Sequence, residues 1–279
     1  MKIICFSGNL GNQIFYCAFK EYLRRKKTSE KIFYFKMHNC PNIKVDKLFN
    51  LELPENSIFI NILSALIFYG DIFLYKLFKR HLPKNILCSR GQINERAVFY
   101  SNYLQDKYYY EKEDSSWLKI KTPTVYPDNF SYFSDLIKTT DSVCVHIRRG
   151  DYISPTSSYE DLSNTDFYEK AIEYSKNIYP DANFFFFSDD LDFVREKFSG
   201  QNYFYVDCNR GSNSYLDILL MSQAKVNIIA NSTFSYWGAY MGHEKKIVLY
   251  SDLWFRKETG RDMPNIMLEK WICIESNRF

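Results

Sequence analysis

Little in this sequence suggests a disulfide framework or a zinc site. Its 7 cysteines, at positions 5, 17, 40, 88, 144, 208 and 273, are scattered, odd in number and never spaced as Cys-x-x-Cys. Several lie inside apolar runs, where a thiol behaves as a small hydrophobe, and the pattern fits a reducing cytosol. Charge of either sign is not in excess: 36 Lys and Arg against 33 Asp and Glu leave +3. Without a basic stripe or tail, no nucleic-acid partner is expected. The cluster Arg24-Arg25-Lys26-Lys27 closes a predicted helix, where positive charge complements the carboxyl end. Internal repeats and low-complexity linkers are absent as well. Met1–Phe6 is too short an apolar run for a signal peptide, so the chain is expected in the cytoplasm. The longest apolar stretch, residues 58 to 78, is broken by Asn61, Gly70, Asp71 and Lys76. Its uninterrupted part falls short of the roughly 20 residues that span a bilayer. A buried helix is predicted there, with peripheral contact at the inner face of the membrane as the alternative.

What is present describes a soluble α/β protein. Across 279 residues, 46% are hydrophobic and 25% charged, enough for two lobes of ordinary size or one large α/β unit. An apolar strand at 2–6 leads through Gly8-Asn9-Leu10-Gly11 into a helix with Ile14, Phe15, Ala18, Phe19, Tyr22 and Leu23 on one face. A second strand follows at 32–35. The middle, 51–127, reads as mostly helical. A lobe boundary is drawn at 130, giving an N-terminal lobe, 1–130, on the acceptor side, and a C-terminal lobe, 131–279. In the second lobe strands are predicted at 142–147, 183–187, 203–206, 226–230 and 246–249. Helices lie between them, one opening at Asp166 with Glu169 spaced as a capping box. This alternation is that of a doubly wound parallel sheet, which binds ligands beyond the carboxyl ends of its strands.

Four polar loops fall at such ends. Gly8–Gln13 is either a tight turn with Asn12 as helix cap or a backbone cradle for an anion. His146-Ile147-Arg148-Arg149-Gly150-Asp151-Tyr152 carries two arginines out of a buried strand, which requires an anion or a carboxylate partner such as Asp151. Strand alternation puts His146 and Arg148 on one face and Arg149 on the other. Ser188-Asp189-Asp190 either caps the next helix or accepts hydrogen bonds from a nucleobase or ribose, and Asp190-Leu191-Asp192 also has the form of a metal motif. Asn231-Ser232-Thr233-Phe234-Ser235 suits a diphosphate at a helix start, or simple capping. Together the four point to a nucleotide-diphosphate site.

These segments resemble glycosyltransferase family 11, the inverting α-1,2-fucosyltransferases. That family carries Gly-Gly-Leu-Gly-Asn-Gln, Val-x-His-x-Arg-Arg-Gly-Asp-Tyr, Ser-Asp-Asp and Asn-Ser-Thr-Phe-Ser-x-Trp, matched here in order by 8–13, 145–152, 188–190 and 231–237. Residues 103–108, Asp262-Met263-Pro264 and Trp271-Ile272 are similar too. Asn9 departs from the family's glycine. The resemblance implies a GT-B-like fold of two facing Rossmann-like lobes, the C-terminal one holding GDP. It implies that Arg149 contacts the β-phosphate, supported by Arg148 or His146, and that Asp190 and Asp189 recognise guanine or ribose. Ser232, Thr233, Phe234 and Ser235 would bind the diphosphate, with Asn12 and Gln13 reaching across. The implied reaction moves L-fucose from GDP-fucose to the 2-hydroxyl of a terminal galactoside in a surface polysaccharide or lipopolysaccharide, with no metal and with Asp151 or His146 as candidate base. Rival readings are a metal-dependent sugar-nucleotide transferase, a non-catalytic nucleotide-binding module, and a membrane-surface scaffold using residues 58–78.

Overall fold

The computed structural model describes residues 1–26, 30–38, 40, 43–89, 93–111, 118–121, 123–242 and 246–279; Lys27, the last of the basic cluster, lies outside them. The chain divides into two compact units, Met1–Lys121 and Thr122–Phe279, where the sequence reading drew its line at 130.

The first unit opens with β1 (Lys2–Phe6), α1 (Leu10–Arg25) and β2 (Ile32–Lys36). A single helical turn, α2 (Val45–Leu48), precedes the long α3 (Ile58–Phe78), and two short strands follow, β3 (Leu87–Cys88) and β4 (Phe99–Tyr100). The sheet order is β2-β1-β4-β3, all parallel. Successive residues of a strand face opposite sides, and the packing follows. Ile3, Cys5 and Phe99 meet Ile60, Leu63, Ile67 and Phe68 of α3, whereas Phe6 and Tyr100 meet Tyr16 and Phe19 of α1 with ring centroids 4.9 Å apart.

Two expectations for this unit are corrected. The middle region is not simply helical, because β3 and β4 complete the sheet; strands of two residues are too short to show a period of two. Nor is α3 a buried helix. Of its residues only Ile60, Ser64 and Asp71 are buried, since a sheet this small contacts one face of a 21-residue helix.

The second unit runs α4 (Phe130–Thr139), β5 (Ser142–Ile147), α5 (Phe167–Ile178), β6 (Asn183–Ser188), α6 (Leu191–Lys197) and β7 (Tyr203–Tyr205). It continues through α7 (Leu216–Gln223), β8 (Val226–Ile228), α8 (Thr233–Tyr240), β9 (Ile247–Ser251) and β10 (Ile272–Ile274). The last of these strands was not anticipated. Order is β10-β9-β8-β5-β6-β7, again all parallel. Val143, Val145, Ile147, Phe184 and Phe186 form one core with Phe167, Ala171 and Ile172 of α5. A fully buried Val or Phe stabilises by about 1.5–3 kcal/mol, so the Phe run of β6 is a principal anchor. The expected capping box at Asp166 does not form. Its side chain makes no cap hydrogen bond and instead accepts from the Asn277 amide at 2.7 Å and Asn277 Nδ2 at 3.0 Å, tying down the C-terminal tail.

Candidate active site

The connections from β5 run outward through β6 to β7 and then return to β8 on the other side of β5. The crevice between β5 and β8 is therefore the topological switch point, where ligands of open α/β sheets bind. Register brings three of the four loops to that edge. Ile147 lies opposite Ser188 and Val145 opposite Ile228, so 148–152, 188–190 and 231–235 leave adjacent strand ends. Tyr152 Oη donates to the Asn231 carbonyl at 3.1 Å, joining two of them.

Both arginines are partnered. Arg148 donates from Nε and Nη2 to Asp151 Oδ1 at 3.1 and 2.6 Å and pairs through Nη1 with Asp189 Oδ2 at 2.7 Å. Arg149 donates from Nε to Asp190 Oδ2 at 3.0 Å and from Nη1 to Ser163 Oγ at 2.8 Å, with its guanidinium carbon 3.6 Å from the centre of the Phe193 ring. Its backbone amide donates to Asp189 Oδ1 at 2.9 Å. A Cβ on Gly150 would press on the carboxylate of Asp189. Asp190 also caps α6, accepting from the Phe193 amide at 3.2 Å. Both arginines thus meet carboxylates, and Asp190 is at once cap and counter-ion. Asp192 takes no part in the cluster and pairs with Arg195 at 3.4 Å. Among the described residues no group of three or more His, Cys, Asp or Glu is arranged to hold a metal.

Alternation persists past the end of β5: Arg149 turns toward α6, while His146 lies beside Phe234 of α8, ring centroids 5.7 Å apart. His146 is buried, and its Nδ1 finds no hydrogen-bond partner among the described residues. Burial pushes its pKa down to about 4, only partly opposed by Asp189, so the imidazole is neutral near pH 7. Ser232 caps α8, accepting from the Phe234 amide at 3.3 Å, and the half-buried Thr233 is the first helical residue. Ser235 is fully buried, and its hydroxyl donates to the Ala230 and Ser232 carbonyls at 3.4 and 3.3 Å.

The first loop belongs to the first unit. Gly8 has φ 71°, and a Cβ there would strike the Asn12 side chain. Asn9, not Asn12, is the N-cap residue of α1, with φ −84°; glycine is not required at 9, which accounts for the departure from the family pattern. Asn12 Oδ1 accepts from Gln105 Nε2 at 2.9 Å. Gln13 is buried and accepts from the Lys44 amide at 3.0 Å, which ties the start of α1 to the segment before α2. At the carboxyl side of this sheet lies a cavity of about 180 Å³ lined by Ser7, Met37, Phe68, Ser101 and Tyr103, among others.

Sequence reasoning did not single out Ser163, Phe193 or Gln105 as site residues. Ser163 and Phe193 carry no local signal, since their roles exist only once the strands pair. Gln105 lay within the similar 103–108 segment.

Comparison with known proteins agrees with this architecture. A crystal structure of a family 9 glycosyl transferase from Veillonella parvula DSM 2008 superposes with TM-score 0.50 at 13% identity, covering 98% of this chain and 85% of that one. The likeness shows a GT-B-like α/β fold. In sequence the chain is 29% identical to the Escherichia coli O-antigen biosynthesis glycosyltransferase WbnK, covering 97% of this chain and 99% of the relative. It is 28% identical to an Escherichia coli alpha-1,2-colitosyltransferase, over 96% and 97%. A Caenorhabditis elegans galactoside 2-alpha-L-fucosyltransferase matches at 27% identity over 61% of this chain and 49% of its own length. The model of glycosyl transferase family 11 matches residues 69–275, a span that includes the paired arginines, both site aspartates and the start of α8, and the chain belongs to that family.

Proposed function

We propose that this enzyme transfers L-fucose from GDP-fucose to the 2-hydroxyl of a terminal galactoside, with inversion, during assembly of a surface polysaccharide such as an O-antigen. The observation that carries the reading is the convergence of Arg148, Arg149, Asp189, Asp190 and the start of α8 at the switch point of one parallel sheet. As the glycosidic bond breaks, negative charge grows on the departing diphosphate. Arg149 is oriented beforehand by Asp190, Ser163 and Phe193, so stabilising that charge requires little reorganisation at the moment of reaction. Amides at the start of α8 add the positive end of a helix dipole. Asp190 and Asp189 retain lone pairs for the donor groups of a purine edge or ribose.

Of the two candidate bases, Asp151 is the one an acceptor hydroxyl can reach, for its side chain is 65% exposed while His146 is enclosed. Arginine provides the charge that a metal supplies elsewhere, and turnover is expected to survive EDTA.

A second donor is favoured by one relative. The alpha-1,2-colitosyltransferase aligns over nearly its whole length, and colitose is L-fucose without the 3-hydroxyl, so one site could serve either sugar. Incubating the protein with GDP-fucose or GDP-colitose and galactose-terminated acceptors, with and without EDTA, separates the possibilities. Preferred turnover of GDP-fucose into an α-1,2 product, unaffected by chelation, is expected. In the same assay Arg149→Ala should lower kcat about 10²–10³-fold in protein that remains folded, its thermal midpoint lowered by a few degrees through loss of the contacts to Asp190, Ser163 and Phe193. Near-normal kinetics in that variant would refute the role of Arg149, and preference for colitose would reassign the donor.

A further inference from the structure

We propose that the outer face of α3 seats the enzyme on an anionic lipid surface, the helix lying in the plane of the headgroups. The proposal is independent of the donor assigned above. Phe59, Ile62, Leu66, Tyr69, Phe73 and Leu77 recur at helical spacing and are 57 to 70% exposed. With Ile58 and Ile72 they cover roughly 140° of the helix circumference at 3.6 residues per turn, wider than the narrow seam of a coiled coil. An apolar face of this size on a soluble protein marks an interaction site.

Charge identifies the occupant. From Ser57 to Ile86 the one acidic residue is Asp71, and it is buried. Its carboxylate accepts from the Leu82 amide at 2.7 Å and bonds His81 Nδ1 at 2.8 Å, which folds the next turn back onto the helix. That turn carries Lys79 and Arg80, with Lys84 just beyond and Lys76 on the last turn of α3, all exposed. Lys76 lies within the apolar face, where its stem can run along the surface with the ammonium at the headgroups. An aromatic and aliphatic face closed by cations of one sign is complementary to anionic lipid.

The helix does not cross the bilayer in this reading, although it is long and apolar enough, with a mean hydropathy of 1.8. Its inner face is held against the sheet by Ile60, Leu63, Ile67 and Phe68, and leaving that sheet would expose the core of the first unit.

Flotation of the full-length protein with vesicles of phosphatidylcholine, alone or mixed with phosphatidylglycerol, tests the proposal. Binding is expected to the mixed vesicles, to weaken with salt, and to be reversed by alkaline extraction. Phe59→Glu with Phe73→Glu should reduce binding at least about tenfold while activity toward a soluble acceptor persists. Neutralising Lys79, Arg80 and Lys84 to Ala should cost about fivefold per residue. These three are exposed, so this variant decides the matter if the double glutamate variant fails to fold. No binding of the wild-type protein to mixed vesicles overturns the proposal. So does resistance to alkaline extraction, which means a spanning helix, and so does a dimer in sedimentation equilibrium that Phe73→Glu dissolves, which means a second copy covers the face.

Discussion

His146 shows how burial sets chemistry at one position. Desolvation lowers its pKa from 6.5 to about 4, so between those values the unfolded chain takes up a proton that the folded chain refuses. The stabilisation from a depressed folded pKa is present above about 6.5 and is lost as pH falls toward 4, on the order of 3 kcal/mol over the full window. Urea unfolding at pH 7.5 and pH 5 should therefore show lower stability in acid, and His146→Gln should flatten that dependence. An unchanged slope in the variant would assign the acid sensitivity to other groups. Strand alternation made the opposed faces of His146 and Arg149 legible in advance. The sharing of Arg148 between Asp151 and Asp189 was not legible, because a bond across some forty residues exists only when β5 pairs with β6 in one register.

Among the elements, the β1–α1 connection gives the sharpest contrast between neighbours. Gly8 sits at φ 71° beneath the Asn12 side chain, whereas Asn9 is at −84°. Gly8→Ala should destabilise by about 1–3 kcal/mol, from backbone strain and from displacement of Asn12. Asn9→Gly should cost less than about 1 kcal/mol. Chemical denaturation of the two variants checks the ordering, and equal losses would contradict it. The strands of the second unit were readable because short apolar runs stood between turn residues and alternated with helical periodicity. The first unit was less so. Its strands β3 and β4 exist by pairing with β1 and with each other, and no local pattern of two residues can announce that. Helix α3 was legible as a helix but not in its exposure, since the sequence of an apolar helix is the same whether protein or something else faces it.

At the scale of the whole molecule, the C-terminal tail is tied to the candidate site through a short relay. Arg278 donates to both oxygens of Glu160 at 3.1 and 2.7 Å, and the Glu160 carbonyl accepts from Asn231 Nδ2 at 2.9 Å. Asn231 opens the α8 loop. The Glu160 side chain is 11% exposed and Arg278 46%, so removing the arginine leaves a mostly buried carboxylate unpaired. Arg278→Ala is expected to lower stability by about 1–3 kcal/mol, the partner's exposure keeping the figure below that of a fully buried pair. A thermal midpoint lowered by a few degrees, and partly recovered in Arg278→Lys, is the readout. A variant as stable as the parent would show that the tail carries no weight.

The paired arginines also bear on what the site attracts. Arg148 and Arg149 face Asp151, Asp189 and Asp190, so the cluster at rest holds more carboxylates than guanidiniums. On that charge count, inorganic phosphate alone is expected to bind weakly there, and titration calorimetry with phosphate checks it. A ligand that offers N–H or O–H groups to the aspartates as well as phosphates to the helix is expected to bind far more tightly, which would set the site apart from the many small anions of a cell.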